Sequence, residues 1–482
     1  MAEAARKPSL LESLIPIVLL IVLLFTNVVI FGDDVLGGSN QVALVFSAAV
    51  AALLGVRLGR KWDVILEGIL YNINAAMTSI LILLLIGALA GTWLLSGIVP
   101  AMIYYGLQIL NPTIFLFAAC LVCAITSLAT GSSWSTVATI GIALLGVGKT
   151  LGISEGMVAG AIISGAYFGD KISPLSDTTN LASAMAGTEL FTHIRYMLWT
   201  TIPSITLALL IFGVLGLTTN TEATINDVNL VMVAIEDIFH ITGWLFVVPV
   251  VVIVLIVKKV PALPALFVGV VLGGLFAIIF QPQLVVQVAG DTGILLKDSY
   301  IAVMKATYGG VSITTDNELV SGLLSSGGMA GMLNTIWLII SAMVFGGVME
   351  VCGFLQRITA EVIQFAKSTG SLVASTVGTC MFFNLTASDQ YLAILVPGRM
   401  YAATYKERGL KPENLSRSLE DGGTVTSVLV PWNTCGATQA AVLGVATMTY
   451  LPFCFFNIIS PFMSIIFAYL NIRIARYGKD EK

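Results

Sequence analysis

Charge is scarce in this chain. Only 10% of its 482 residues are Asp, Glu, Lys or Arg, against 57% hydrophobic, where a soluble domain carries about a quarter charged residues. That deficit excludes a solvated globular protein and leaves no basic surface for nucleic acid. Histidine is scarcer: the two present, His193 and His240, stand far apart and make no metal set. No phosphate loop, G-x-S-x-G elbow or H-E-x-x-H pair occurs, so neither an ATP-driven pump nor a hydrolase is expected and no cofactor is implied. The six cysteines (Cys120, Cys123, Cys352, Cys380, Cys435, Cys454) all fall in apolar segments. There they read as small packing residues, Cys120-x-x-Cys123 included, and not as a disulfide framework or a redox pair.

What is abundant is apolar sequence. Runs near the ~20 residues that cross ~30 Å of hydrocarbon recur throughout: Leu11–Phe31, Val42–Val56, Met77–Leu95, Ile241–Val257 and Leu451–Leu470. Arg6 and Lys7 precede a first stretch longer than a signal core and without an A-x-A site, so it reads as a spanning helix. The expected class is an all-α polytopic membrane protein with the lipid bilayer as its first partner.

Lys and Arg then orient it. They cluster at Arg6/Lys7, Arg57/Arg60/Lys61, Arg195, Lys258/Lys259, Arg357/Lys367, Arg399 to Arg417 and Arg473 to Lys482, whereas 32–40, 97–112 and 218–237 hold no basic residue. Basic clusters belong in the cytoplasm, which places both termini there and the poor stretches outside. The count closes only if Thr113–Gly148 and Thr369–Ala403 each enter and leave by one side. Each is long enough for two helices and has a polar break at its centre, Thr130-Gly131-Ser132-Ser133 and Thr386-Ala387-Ser388-Asp389. Two re-entrant hairpins are therefore expected, with tips shielded by protein or water. Trp62–Tyr71, polar on one side, reads as a helix lying on the cytoplasmic face, with Tyr300–Tyr308 its exterior counterpart.

A shift of about 256 residues superimposes two long blocks. Gly91 and Gly97 fall on Gly347 and Gly353, and Thr130-Gly131-Ser132 falls on Thr386-Ala387-Ser388; one residue further, Gly152, Gly165 and Pro174 fall on Gly409, Gly422 and Pro431. Five expected crossings separate the blocks, so the second is upside down. The reading divides the chain into N-terminal helices with an interfacial helix (1–75), a first repeat (76–217, with hairpin 113–148 and broken helix 156–190), connecting helices and an exterior segment (218–330), a second repeat (331–472, with hairpin 369–403 and broken helix 413–447) and a cytoplasmic tail (473–482). Inverted repeats with broken helices place a transport site near the midplane.

The breaks hold the chemistry. Proline after Ser173 unwinds the helix at Gly169-Asp-Lys-Ile-Ser-Pro-Leu-Ser-Asp-Thr-Thr-Asn180. Freed carbonyls and the hydroxyls of Ser173, Ser176 and Thr178 suit a hard cation such as Na+, with Asp170 and Asp177 supplying charge. The second break, Val430-Pro-Trp-Asn-Thr-Cys-Gly436, offers carbonyls, Asn433 and Thr434 but no carboxylate. Ionisable groups at membrane depth are functional by default; here they are Asp170, Lys171, Asp177, Glu350, Asp389, Glu420 and Asp421, six acids against one base. Lys171 is either the partner of an aspartate or the holder of a substrate carboxylate. A solvated aspartate has a pKa of ~3.9, and burial beside another acid raises it. Proton and Na+ then compete for the oxygens of Asp170, Asp177 and Asp389, which with alternating access makes an antiporter.

Gly169 to Ala182, together with Thr386-Ala-Ser-Asp-Gln-Tyr391 and the second break, resembles the NhaC-type Na+/H+ antiporter family of bacteria. The resemblance implies an inner-membrane exchanger, commonly a homodimer, whose hairpin tips and opposed unwound helices hold the transported Na+ and H+. Carried onto this sequence it nominates Thr130, Ser132 and Ser133 with Asp170, Ser173, Ser176, Asp177 and Thr178, and Thr386, Ser388 and Asp389 with Asn433 and Thr434. The family also includes members resembling malate/lactate antiporters, so it implies either exchange of Na+ (or Li+) for H+ or Na+- and H+-coupled organic-acid exchange.

Overall fold

The computed structural model describes residues 6–31, 37–109, 111–218, 225–315, 318–364 and 366–478. The acids expected at 33 and 34, part of the acidic stretch at 219–224, Asp316 and the last four residues of the tail lie outside them. Within the described residues the chain is helical apart from one two-stranded ribbon, Val311–Ser312 with Ser325–Ser326, and an isolated bridge from Leu410 to Arg476. Seven helices are long and apolar enough to cross a membrane, and two further pairs qualify as bent spans, Val228–Ile238 with Gly243–Val257 and Thr447–Phe453 with Phe455–Tyr469. Their outward faces carry exposed Phe25, Phe46, Leu53, Leu210 and Phe267, which only hydrocarbon would cover without cost. This is an all-α polytopic membrane protein.

Trp62–Leu95 is one continuous 34-residue helix, about 51 Å long at 1.5 Å per residue. The stretch Trp62–Tyr71, expected as a separate interfacial helix, is therefore continuous with the span that follows it, and the boundary drawn at residue 75 falls inside this helix. No helix breaker separates the two parts, so backbone hydrogen bonding continues through the change from polar to apolar. Two connecting stretches also prove more ordered than their composition implied. Ile98–Ile109 is a largely buried helix, and Ile225–Ile238 is a helix on the stretch read as a plain acidic connection.

The long helix serves as a ruler for sidedness. At its start, the Arg6 amide donates to the Leu58 carbonyl (2.9 Å), and Pro8 lies beside Gly353. At its far end Gln281 ties three turns together, donating to the carbonyls of Ser96 and His240 and accepting from the His240 amide. The first hairpin is rooted at this second end: Gly216 packs on the Thr113 carbonyl, and Gly146 lies against Ile103. The second is rooted at the first end, where Arg408 donates to the Ala366 and Ser368 carbonyls and the Lys411 amide to that of Ala475. The two hairpins thus enter from opposite ends.

The first hairpin comprises Pro112–Thr130 and a second arm, Ser133–Thr136, a π-helical turn Val137–Gly141 and Ile142–Thr150. Its first arm packs on Glu155–Ile172 through small residues. A Cβ on Gly165 would sit 2.0 Å from the Cys120 carbonyl oxygen, and one on Gly169 2.3 Å from that of Ala124; such absent side chains let membrane helices approach closely. Cys120 and Cys123 are buried at this contact. The second hairpin is Thr369–Thr386 with Gln390–Glu407. Each broken helix sends its second part into the opposite half: Asp177–Ala186 packs on Gln390–Glu407, and Thr434–Leu443 on the second arm of the first hairpin. Ala182 accordingly shares a core with Val373, Ile394 and Tyr401.

Candidate ion-binding site

Both halves build the same joint. In each, the first hairpin arm ends, one residue turns left-handed and the next caps the second arm. In the first half Gly131 has φ 68° and Ser132 accepts from the Ser135 amide at 3.1 Å. In the second Ser388 has φ 59°, and Asp389 Oδ1 accepts from the amides of Tyr391 (2.9 Å) and Leu392 (3.1 Å). Structurally, then, Gly131 matches Ser388 and Ser132 matches Asp389. The sequence register that laid Thr130-Gly131-Ser132 on Thr386-Ala387-Ser388 is one residue out here. Ala387 still has helical dihedrals, and the left-handed position, not the residue type, marks the tip.

The breaks match as well. Ser173 leaves the helix with extended dihedrals and Ser176 caps Asp177–Ala186; Asn433 caps Thr434–Leu443, its Oδ1 accepting from the Cys435 amide at 3.0 Å. A hydrogen bond from tip to break then closes each joint. Ser133 donates to Asp170 Oδ2 from both its hydroxyl (2.7 Å) and its amide (3.1 Å). Thr434 donates its hydroxyl to Asp389 Oδ2 (3.2 Å) and its amide to the Ser388 carbonyl (2.9 Å). The carboxylate stands on the break in one half and on the tip in the other. Both acids are buried, Asp170 at 7% and Asp389 at 1% exposure.

The remaining nominated groups divide. Ser173 donates to the Leu128 carbonyl (2.9 Å) and Ser176 shares a hydrogen with Thr178 (3.1 Å), binding the break to itself and to the first arm. Thr130 pairs with Thr136 at 3.4 Å, and Thr386 donates back to Phe382 within its own helix. Ser388 Oγ is buried with no partner, an oxygen free to meet a ligand. Asn433 donates to both oxygens of Asn384. Asp177 opens the second part of its helix and is exposed, while Asp170 next to the break is not. Tyr391 lies within electrostatic reach of Asp177, Asp389 and Asp170. Among the described residues no three acidic, histidine or cysteine side chains converge as a metal cluster. The arrangement offers instead the buried carboxylates of Asp170 and Asp389 with hydroxyls beside them, while the carbonyls of Asp170, Lys171, Ser173, Pro174 and Ser176 along the first break already accept hydrogen bonds.

Lys171 is not at this site. It is fully buried and paired with Asp421 of the other half's broken helix, with Ser460 as a second acceptor at 3.1 Å. Ser460 and Ser464 also donate to Asp421. Sequence reasoning had no view of these serines, nor of Asn384, whose amide donates to the carbonyls of Gly422 (3.3 Å) and Gly423 (2.7 Å) and to Thr426 (3.1 Å). A lone amide within an apolar helix was the available signal for Asn384. Nothing local marked the serines.

A family model described as the Na+/H+ antiporter family matches residues 165–472, a span holding both breaks and the second hairpin. The chain belongs to this family. It is 35% identical over 454 residues, 94% of each chain, to the Na+/H+ antiporter NhaC of Alkalihalophilus pseudofirmus. It is 36% identical to two Bacillus subtilis proteins: a malate-2H+/Na+-lactate antiporter, over 96% of this chain and 95% of the relative, and a Na+/H+ antiporter NhaC, over 89% and 92%. Relatives of equal similarity thus carry different cargo, and within the family the site must be read from its own atoms.

Proposed function

We propose that this chain exchanges Na+, with Li+ as a second cargo, for H+ across the cytoplasmic membrane by alternating access. The observation that carries the reading is the buried Asp170 carboxylate, set at a helix break and held by a hydroxyl and an amide of the opposing tip. A bare carboxylate at this depth is costly, and either a proton or Na+ relieves it. Na+ would draw on Asp170, Asp177, Ser133 and break carbonyls, with Asp389, Ser388 and Thr434 forming the equivalent set in the other half. Competition for these oxygens, with rocking of one half against the other, makes the exchange obligatory.

Organic-acid exchange is the second reading, favoured by the malate/lactate relative. Its sequence argument set Lys171 and the hydroxyl-rich tips to recognise the acid, and that ammonium is engaged by Asp421. The N-terminus beside Leu58 and the tail beside Lys411 bring basic clusters together at one end, which supports both termini in the cytoplasm. A homodimer completes the proposed assembly. In reconstituted vesicles, NaCl alone should move internal pH, with malate and lactate in parallel arms. Proton flux that requires the organic acid would sink the Na+/H+ reading.

A further inference from the structure

Between the ion site and the end at which the first hairpin is rooted, the second part of the second broken helix carries an amide with nothing to bond. Gln439 of Thr434–Leu443 is fully buried, at 0% exposure, and both Oε1 and Nε2 lack a hydrogen-bond partner. A buried primary amide left in this condition costs free energy, and an apolar side chain would fill the position more stably. Its neighbours one turn away on the same face, Cys435 and Leu443, share a core with Trp134, Val137 and Ala138. Gln439 therefore stands in the contact between this helix and the second arm of the first hairpin. That arm turns π-helical at Val137–Gly141, where the helix packs on it, and such turns recur at functional positions. The contact is polar on the side of the ion site as well. Trp134 Nε1 and Tyr167 Oη face the weak acceptor Cys435 and have no stronger partner among the described residues.

This contact closes the route from the ion site to the exterior face given by the proposed orientation. Cys435 lies within electrostatic reach of Asp389, and Gln439 follows it by one turn, about 6 Å further along the helix. Behind the helix, Asn334, Leu338, Ala437 and Ala441 line a cavity of about 230 Å³, so the helix has room to draw back from the hairpin arm. We infer that Gln439 is an outer station for the leaving cation. When helix and arm part, its carbonyl oxygen receives Na+ released from Asp170 before exterior water completes the ion's shell. A neutral oxygen suits that task, because it binds strongly enough to draw the ion out and weakly enough to let it go. In the closed contact the same amide is left bare, which favours opening.

This inference rests on the antiport reading and adds a residue to the cation's path. The test is Na+ counterflow in vesicles, radioactive Na+ exchanging for unlabelled Na+ at equal pH, which separates movement of the cation from that of the proton. Gln439→Met, close in size and without the amide, should slow counterflow by about tenfold, the loss of one oxygen to a cation. Its unfolding temperature in detergent should equal or exceed that of wild type, because an unpartnered amide has left a buried contact. Counterflow at the wild-type rate in Gln439→Met would overturn the inference. A lower unfolding temperature in both Gln439→Met and Gln439→Leu would overturn it equally, by showing that the amide is bonded within the fold. Wild-type protein that moves no Na+ unless an organic acid is present would instead defeat the antiport reading itself, before any variant is compared.

Discussion

The two tip-to-break joints use the same hydrogen bond with donor and acceptor exchanged. In the first half the break carries the acid and the tip the hydroxyl, Asp170 with Ser133; in the second the tip carries the acid and the break the hydroxyl, Asp389 with Thr434. The exchange has a structural consequence. Asp389 spends one oxygen on two amides of the helix it caps, so its position is fixed by backbone. Asp170 caps no helix, and the amide and hydroxyl of Ser133 at the tip donate to it. A frame repeated twice therefore holds its two acids differently, Asp389 braced by the amides of its own helix and Asp170 by the opposing tip.

Asp170→Asn should break the comparison most severely. Exchange falls by about a hundredfold or more, the loss of a charged hydrogen-bonded group at a buried site, while the protein still elutes as a single species. Persistence of Na+-dependent proton flux at the wild-type rate would remove Asp170 from the site. Gly131→Ala comes next. Its new Cβ would fall 2.5 Å from that of Leu175, at φ 68°, costing about 3 kcal/mol and appearing as a lower unfolding temperature in detergent.

Asp389→Asn separates capping from charge. Asparagine caps a helix about as well as aspartate, so thermal stability should hold while exchange slows by about tenfold; an equal fall in both would make the acid purely architectural. The hydroxyl deletions rank the joints directly. Ser133→Ala should weaken apparent Na+ affinity by about tenfold, and Thr434→Ala by only about threefold, since Asp389 keeps its two amides. The reverse order in Na+ titrations of vesicle exchange would invert the assignment of the halves. Smallest is Ser388→Gly, which relieves a left-handed serine and should raise stability by about 1 kcal/mol.

These local features were legible because each has a local cause. Proline after Ser173 and after Val430, and polar tips inside apolar stretches, announce breaks without reference to any other part of the chain. Of the glycine pairs at the near-constant offset, Gly97 with Gly353 and Gly152 with Gly409 are left-handed in both halves, as is the further pair Gly187 and Gly444, whereas Gly91, Gly347, Gly165 and Gly422 lie in helices against close neighbours. What sequence could not supply was partnership across distance. Lys171 finds Asp421 only because the two broken helices cross, and Ser460 and Ser464 face that pair from a helix whose composition is otherwise ordinary. The continuity of Trp62–Leu95 was hidden for a different reason: a change from polar to apolar surface alters what a helix touches, not whether its backbone bonds continue.

The second part of each broken helix is lodged against the hairpin of the other half. Neither hairpin can therefore tilt without carrying with it the segment that shapes the opposite entrance. Opening to one face is geared to closure toward the other, as with two meshed wheels that share a tooth. A continuous leak would require both engagements to slip in the same instant, so the tightness of the exchange is a property of how the halves interlock and not only of what their acids bind.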